Sequence, residues 1–274
     1  MADETSGHLT GTSTDNILAG HPGHDGRIQG HRLSVIIITK NEAHNIRDCL
    51  ESVSWADEII VVDSGSTDET AAIAREFTPH VYSHDWPGFG AQKNRALDYA
   101  TGDWVLSLDA DERVTPALRA QLNHAMEEAG DDGYCLPRLS QFCGKFIRHS
   151  GWYPDYVLRL FKRGRGRFSD DLVHESVKLQ GRVGKLTSPL MHYSYLTEAD
   201  VDRKVEQYAS AAAQQMYKKG KVAKSLDAPV RAAWAFFRTY CLKFGFLDGV
   251  AGYRVACMNA RTTYLKYEKL KAMR

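Results

Sequence analysis

Two continuous runs of β-branched residues, separated by a helical pattern, constrain the fold of this chain most strongly. The runs are LSVIIIT at 33–39 and EIIVVD at 58–63, and between them Ile46, Leu50 and Val53 recur at helical spacing. Apolar runs of this kind are typical of strands that are buried on both faces of a sheet. A strand, a helix and a second strand in this order predict two parallel strands joined by a right-handed crossover.

The same alternation continues beyond the second strand. Ser66 and Glu69 have the spacing of a capping box, which predicts a helix that ends at Phe77. Thr115 and Pro116 predict the N-cap and the first position of a later helix. Further strands are predicted at 80–84 and 104–108, and a further helix at 91–100. We therefore expect a mainly parallel sheet with helices on both faces.

After residue 133 the alternation of strands and helices is lost. Short strands are predicted at 134–139, 156–161, 173–179 and 190–195, between glycine-rich turns, and they indicate antiparallel structure added to the sheet. Thr197 predicts the cap of a helix that reaches Lys219 and stops at Gly220, and two more helices are predicted at 228–243 and 248–272. The predicted fold class is α/β, with a Rossmann-like, mainly parallel sheet, an antiparallel extension and C-terminal helices.

Charge is distributed unevenly along the chain, although the net charge is only +1. Residues 201–274 contain 15 Lys/Arg and 5 Asp/Glu, whereas residues 1–200 contain 20 and 29. A basic end that is also rich in aromatic residues fits an anionic partner, such as a membrane surface or a nucleic acid, or forms a solvated helical face. Nucleic-acid binding is disfavoured, because no known binding motif accompanies the charge.

The basic end contains the segment WAFFRTYCLKFGF at 234–246. It mixes bulky apolar and cationic residues, as helices at a membrane interface do. The same pattern also suits a helix whose apolar face packs on the rest of the protein. We expect no membrane span here, because four basic residues interrupt the apolar sequence. These are Arg231, Arg238, Lys243 and Arg254.

Two further features limit the class of protein. Residues 1–31 contain no apolar run, so they are predicted to form a disordered tail rather than a signal peptide. The five cysteines include no CxxC pair, which argues against a disulfide framework or a zinc ribbon and is typical of a reducing compartment. A bound metal is therefore expected on oxygen ligands.

Polar clusters follow three of the predicted parallel strands, at 39–42, at 63–68, and at Asp109 and Asp111. Ligands of open parallel sheets bind at the carboxyl ends of the strands. Two carboxylates separated by one residue can share Mg²⁺ or Mn²⁺ and leave positions for phosphate oxygens. A P-loop NTPase and a dinucleotide dehydrogenase are both disfavoured, because their glycine-rich motifs are absent from the sequence.

Four motifs resemble those of the family 2 glycosyltransferases: VIIITKNE at 35–42, IVVDSGSTD at 60–68, QKNR at 92–95 and LDADE at 108–112. The resemblance covers about residues 33–118. It implies the GT-A fold and transfer of a sugar from a nucleotide with inversion at the anomeric carbon. The later VHE at 173–175 and the basic tail resemble the bacterial lipopolysaccharide core β-1,4-glucosyltransferases, which add glucose to an inner-core heptose.

The resemblance also implies roles for individual residues on the donor side. A UDP-sugar is the implied donor, and Mg²⁺ or Mn²⁺ is the implied metal. The implied residues are Thr39, Glu42 and Asp63 for the uridine, Asp68 and Lys93 near the nucleotide, and Asp109, Asp111 and His192 for the metal and the diphosphate. For His192 a structural role is the alternative.

An inverting transfer needs a carboxylate that deprotonates the acceptor hydroxyl. Glu175 is the predicted base, with Asp171 and Asp170 as competitors nearby in the sequence. The alternative is that Glu175 is an exposed strand residue without this role.

Two groups of residues are candidates for the acceptor side. Trp152, Tyr153 and Asp155 suit a wall against which a sugar ring stacks, although core packing is the usual role of tryptophan. A basic cluster could hold a diphosphate or an anionic acceptor, or could form a solvated loop. Its members are Arg159, Arg163, Arg165 and Arg167.

The resulting prediction is a metal-dependent glycosyltransferase that acts on a glycolipid at the cytoplasmic face of a membrane. Its expected parts are a tail at 1–31, a GT-A catalytic domain at 32–196, and a basic helical extension at 197–274 that contacts the membrane surface. The alternatives are a transferase directed at protein or at another polysaccharide, and a non-catalytic relative that binds nucleotide sugar. A sugar nucleotidyltransferase is disfavoured, because residues 39–42 do not form a glycine-rich loop.

Overall fold

The computed structural model describes residues 30–128, 130–169 and 176–273. Most of the predicted N-terminal tail at 1–31 lies outside these ranges. The candidate bases Asp170, Asp171 and Glu175 also lie outside the described residues.

The first half of the chain forms the predicted parallel strands, in the sheet order β3-β2-β1-β4. Thr39 at the end of β1 pairs with Asp63 of β2, and Ile38 pairs with Asp109 of β4. The three polar strand ends therefore meet at one edge of the sheet, as predicted. The elements are β1 (Leu33–Thr39), α1 (Ala43–Ser52), β2 (Glu58–Asp63), α2 (Thr70–Phe77), β3 (Val81–Ser83), α3 (Phe89–Tyr99) and β4 (Trp104–Asp109).

The second half extends this sheet beyond β4 in the order β8-β6-β12-β5. Strand β8 runs antiparallel to both β4 and β6, so the predicted antiparallel addition is confirmed. The elements are β5 (Glu112–Val114), α4 (Pro116–Glu128), β6 (Gly133–Phe142), β7 (Lys145–Phe146), β8 (Asp155–Lys162), β9 (Gly166–Phe168), β10 (Val177–Leu179), β11 (Val183–Lys185) and β12 (Leu190–Tyr195). Strands β9 and β10 form a separate two-stranded sheet.

Alternating residues of β1 enter two different apolar clusters. Val35 and Ile37 pack with residues of α1, whereas Ile36 and Ile38 pack with residues of α3. The central strand is therefore buried on both faces, which is the reason for its continuous apolar sequence. The prediction of helices on both faces of the sheet is confirmed.

The C-terminal helices are α5 (Glu198–Lys218), α6 (Asp227–Phe237) and α7 (Val250–Ala272). A π-helical turn at Arg238–Leu242 and a 3₁₀ turn at Gly245–Asp248 connect α6 to α7. Val205 of α5 and Val255 of α7 share an apolar cluster with Phe142 of β6. Helices α5 and α7 therefore pack against the carboxyl end of β6. Across the described ranges, no helix is both long enough and apolar enough to pass through a bilayer.

The helix caps differ in how well their sequence patterns predicted them. The Thr197 cap of α5 is confirmed, since Asp200 N donates to Thr197 Oγ1 at 3.2 Å in a complete capping box. The box predicted for Ser66 and Glu69 is wrong. Ser66 Oγ instead accepts a hydrogen bond from Asn41 N at 2.8 Å, and the side chain of Asp68 accepts from Thr70 N at the start of α2.

The turn before β4 leaves no room for a side chain at position 102. A Cβ on Gly102 would lie 2.7 Å from the carbonyl oxygen of Arg32 and 2.8 Å from Ser34 N, both of which are backbone atoms. We expect Gly102→Ala to lower the free energy of unfolding by about 1–3 kcal/mol, because the central strands must shift to admit the methyl group. Urea denaturation measures this change.

Gly130→Ala is the matched control, because a Cβ at Gly130 would meet only Tyr134 Oη, at 4.0 Å. Equal stabilities of the two variants would contradict the close approach at Gly102.

Candidate active site

A cleft of about 1030 Å³ opens at the carboxyl ends of the parallel strands. Its lining comes from several elements: residues 38–42 after β1, residues 109–111 after β4, the β6, β8 and β12 region, and helices α5 and α7. The C-terminal helices are therefore part of the wall of the cleft. Thr39 Oγ1 is buried at this edge and has no hydrogen-bond partner among the described residues.

Asp109 lines the cleft and is the acidic centre of a charge cluster whose other members are largely buried. Lys93 Nζ lies 3.0 Å from its Oδ1, and Arg159 contacts its Oδ2. Burial by itself raises the pKa of Asp109, but Arg159 and Lys93 hold this pKa well below its usual range. Asp109 is therefore a carboxylate whose two oxygens are both paired with cations.

Glu112 lies on the other side of Arg159 and is 0% exposed. Arg159 Nη2 donates to Glu112 Oε1 at 2.6 Å, and Asp109 N donates to Glu112 Oε2 at 3.0 Å. Arg138 continues the alternation of charges, with Nη1 3.7 Å from Glu112 Oε1 and Nη2 2.7 Å from Asp155 Oδ2. A line of paired charges thus connects Lys93 to Asp155 on the far wall of the cleft.

A β-bulge places Arg159 in this cluster. Leu160 pairs with Tyr134 of β6, but the next pair along the strands is Leu158 with Cys135. Arg159 is the extra residue of β8 between these two pairs. Bulges of this kind redirect a side chain away from the regular alternation of a strand, and here the buried guanidinium reaches both carboxylates.

Asp111 and His192 face the cleft as a pair. His192 Nε2 lies 3.2 Å from Asp111 Oδ2, and Ser140 Oγ lies 2.8 Å from His192 Nδ1. Burial raises the pKa of Asp111, but the hydrogen bond and the charge of His192 outweigh it and lower this pKa. Register explains the proximity of the two residues, since His192 of β12 pairs with Ser140 of β6 and with Glu112 of β5.

The Asp111 carboxylate and the His192 imidazole are suitable ligands for a divalent cation that takes its other ligands from a substrate. In the part of the chain that the structure describes, no group of three or more His, Cys, Asp or Glu side chains could hold a metal by itself. Mg²⁺ sites in phosphate-binding proteins commonly use one or two carboxylates together with substrate phosphates and water. Asp109 is less suited than Asp111, because Lys93 and Arg159 occupy its oxygens.

Two other candidates from the sequence, Asp63 and Asp68, are not among the residues that line the cleft. Asp63 Oδ2 accepts hydrogen bonds from Gly65 N at 3.0 Å and from Ser66 N at 2.9 Å. Asp68 accepts from Ala43 N at 3.1 Å. In this structure both carboxylates hold the loop after β2 in place beside the end of β1.

The predicted aromatic wall is formed in part. Trp152 and Asp155 line the cleft, and so does Pro154, whereas Tyr153 is not among the lining residues. The Trp152 ring packs against Tyr195 with a centroid distance of 5.6 Å. Trp152 is therefore both a packing residue and a wall of the cleft.

The four arginines predicted as one anion-binding cluster do not meet at one point. Arg159 lies below the cleft, but Arg163 Nε donates to the carbonyl of Gly102 at 2.8 Å, at the start of β4. Arg167 pairs with Asp98 at 2.9 Å. Because β8 runs antiparallel to β4, it carries the chain from the cleft to the opposite end of the sheet. For this geometric reason the four arginines do not form one anion-binding cluster. Arg163, Arg165 and Arg167 are exposed, as the alternative of a solvated loop predicts.

Sequence reasoning did not single out Lys204, which reaches the cleft from α5. Its Nζ donates to the carbonyl of Ser194 at 2.5 Å and lies 4.5 Å from the centroid of the Tyr195 ring. Burial lowers the pKa of Lys204, and burial raises the pKa of Glu42 on the opposite side. No local motif marks Lys204, because it enters the site through the packing of a distant helix.

Comparison with known proteins identifies the family of this chain. The model of Glycosyl transferase family 2 matches residues 34–178. The lipopolysaccharide core biosynthesis glycosyltransferase LpsC of Rhizobium meliloti strain 1021 is 31% identical over 256 residues, covering 86% of this chain and 93% of LpsC. An uncharacterised glycosyltransferase of Rickettsia felis is 27% identical, covering 88% and 89%.

Among solved structures, the mannosyltransferase PcManGT of Pyrobaculum calidifontis, in complex with GDP-Man and Mn²⁺, aligns with a TM-score of 0.51. The identity is 18%, and the alignment covers 88% of this chain and 87% of PcManGT. This likeness confirms the predicted GT-A fold. Together with the family match and the identity to LpsC, it leads to one assignment: this chain belongs to glycosyl transferase family 2.

Proposed function

We propose that this glycosyltransferase moves a hexose, with glucose as the first candidate, from a UDP-sugar to a glycolipid of the lipopolysaccharide inner core, with inversion at the anomeric carbon. The observation that carries the proposal is the Asp111 and His192 pair, which faces the cleft beside the fully paired Asp109. This arrangement presents a carboxylate and an imidazole, paired with each other, to a diphosphate and its cation.

The donor side of the cleft would hold the nucleotide. Thr39 offers a buried hydroxyl without a partner among the described residues, and Glu42 lies close by at the same strand end. Asp63 and Asp68 would act by fixing the loop that follows β2. The GDP-Man and Mn²⁺ in the PcManGT complex support a nucleotide-sugar donor and a divalent ion for this chain as well.

Asp111 and His192 would bind Mg²⁺ or Mn²⁺. When bound, the cation neutralises the negative charge that develops on the leaving diphosphate. Lys93 and Arg159 keep Asp109 ionised and fixed, so the carboxylate does not have to reorganise during the reaction.

On the acceptor side, Glu175 is the proposed base. The acceptor hydroxyl gives its proton to the carboxylate, while its oxygen forms the new bond to the anomeric carbon and the bond from that carbon to the diphosphate breaks. Attack from the face opposite the diphosphate produces inversion. Trp152 would stack against the sugar ring, and Asp155 would accept hydrogen bonds from its hydroxyls.

The identity to LpsC supports an acceptor related to the lipopolysaccharide core. The catalytic residues would belong to a domain at 32–196, and the helical extension at 197–274 would bring the enzyme to the cytoplasmic face of the membrane that holds the acceptor. A transferase directed at protein or at another polysaccharide, and a non-catalytic relative, remain the competing functions. Release of UDP from UDP-glucose, with lipid and peptide acceptors compared, separates these functions.

Asp111→Asn tests the metal and diphosphate site. For the native protein, UDP with Mn²⁺ at about 100 times Kd should raise Tm by about 5–10 °C, and neither ligand alone should do so. In Asp111→Asn this shift should disappear, because the amide has lost the charge that attracts the cation. Differential scanning fluorimetry measures both.

Asp98→Asn is the control, since Asp98 pairs with Arg167 away from the cleft. It should keep the full shift. An equal shift in Asp111→Asn would contradict the assignment of the metal site.

Arg159→Leu tests the buried charge cluster. The substitution removes the cation that Asp109 shares with the fully buried Glu112, so the free energy of unfolding should fall by about 3–5 kcal/mol. Arg203→Leu removes only an exposed pair with Asp200 and should cost less than about 1 kcal/mol. Similar losses in the two variants, measured by chemical denaturation, would mean that the cluster does not stabilise the fold.

Glu175→Gln tests the proposed base. We expect kcat to fall by about 10²–10⁴-fold, because the amide cannot take the proton of the acceptor hydroxyl. The Tm shift with UDP and Mn²⁺ should stay intact. Asp170→Asn and Asp171→Asn are matched variants, and a larger loss of kcat in either would transfer the role of base to that residue.

A further inference from the structure

The connection between α6 and α7 carries apolar side chains that point into solvent. We call residues 237–250 the apolar loop. Leu247 is 58% exposed and Val250 is 77% exposed, and further large side chains of the loop are also exposed. These are Phe237, Leu242, Phe244 and Phe246. The rings of Phe244 and Phe246 lie side by side, with centroids 6.1 Å apart. Exposed apolar side chains that are grouped in this way mark a site of interaction with a protein or a membrane.

The exposed charged side chains of the apolar loop are all positive. Arg238 and Lys243 are exposed beside the apolar side chains. The acidic residue of the loop, Asp248, is 4% exposed and turned inward. The exposed face therefore presents apolar and cationic groups without a carboxylate, which is the complement of an anionic lipid surface.

The loop is held in a fixed shape. The carboxylate of Asp248 accepts hydrogen bonds from His149 N at 2.9 Å and from Arg148 N at 3.2 Å. Lys145 Nζ donates to the backbone carbonyl of Asp248 at 2.8 Å. Phe244 has a φ of 54°, a conformation that bulky residues adopt rarely. Hydrogen bonds to the rest of the protein thus fix the backbone that carries the exposed rings.

The same contacts connect the loop to the cleft. Ser150 N donates to the carbonyl of Lys243 at 2.8 Å, and the two following residues, Gly151 and Trp152, line the cleft. A surface in contact with the apolar loop would therefore lie beside the acceptor side of the cleft.

We propose that the apolar loop inserts into an anionic bilayer and sets the cleft at the membrane surface. The insertion itself is independent of catalysis, whereas its use in presenting a lipid-linked acceptor rests on the function proposed above. A second copy of the chain is a poorer occupant, because a symmetric contact would bring Arg238 and Lys243 of one copy towards those of the other.

Vesicle co-sedimentation tests the insertion, with phosphatidylcholine vesicles that contain or lack phosphatidylglycerol. The native chain should bind the anionic vesicles more tightly. Leu247→Asp and Phe246→Asp should each weaken this binding by about tenfold or more, because a buried apolar side chain is replaced by a charge. Arg238→Gln and Lys243→Gln should each weaken it by about fivefold, and only for anionic vesicles.

Val183→Asp is the matched control. Val183 is also an exposed aliphatic residue, at 47%, but it lies on β11 next to Gly133 at the opposite end of the sheet from the cleft. Its vesicle binding should equal that of the native chain. Binding that is unchanged in Leu247→Asp, or absent in the native chain, would overturn the proposal. So would a native dimer that Leu247→Asp converts to a monomer, measured by light scattering, without vesicle binding.

The Tm shift with UDP and Mn²⁺, measured on the same variants, separates this proposal from the proposed function. A loop variant that keeps the Tm shift but no longer binds vesicles supports the loop as the membrane contact. Vesicle binding in a native chain that shows no shift would leave the loop assignment standing while removing the donor site.

Discussion

The buried guanidinium of Arg159 is the interaction on which the site depends. It lies between Asp109 and Glu112 and compensates both carboxylates, of which Glu112 is fully removed from water. Buried charges of one sign are costly unless a partner is present. With Arg159 in place, Asp109 can remain ionised at the end of a buried strand. Asp111 is then left to face the cleft with His192.

The parallel half of the fold and its polar edge could be predicted from the sequence, because their signals are local. The continuous apolar runs of β1 and β2 predict strands buried on both faces, and Asp109 follows directly after a third such strand. Parallel pairing then brings Thr39, Asp63 and Asp109 to one edge without further information.

The rest of the site depends on pairings that no local pattern encodes. Arg159 and Arg163 look alike in the sequence, yet one lies under the cleft and the other binds the carbonyl of Gly102 at the far end. The direction of β8 and its bulge decide between these positions. Lys204 reaches the cleft only through the packing of α5, so no sequence motif predicts its position there.

The bulge in β8 has a consequence for how this part of the chain can change. Arg159 is the extra residue of the bulge and has no pairing partner on β6. Deleting it would restore regular pairing between β8 and β6 and would remove the buried cation at the same time. A deletion that is harmless to strand pairing would thus remove the cation that Asp109 and Glu112 share, and would leave Lys93 and the more distant Arg138 as their charge partners. Variation among related chains in this segment should therefore proceed by substitution and keep its length constant.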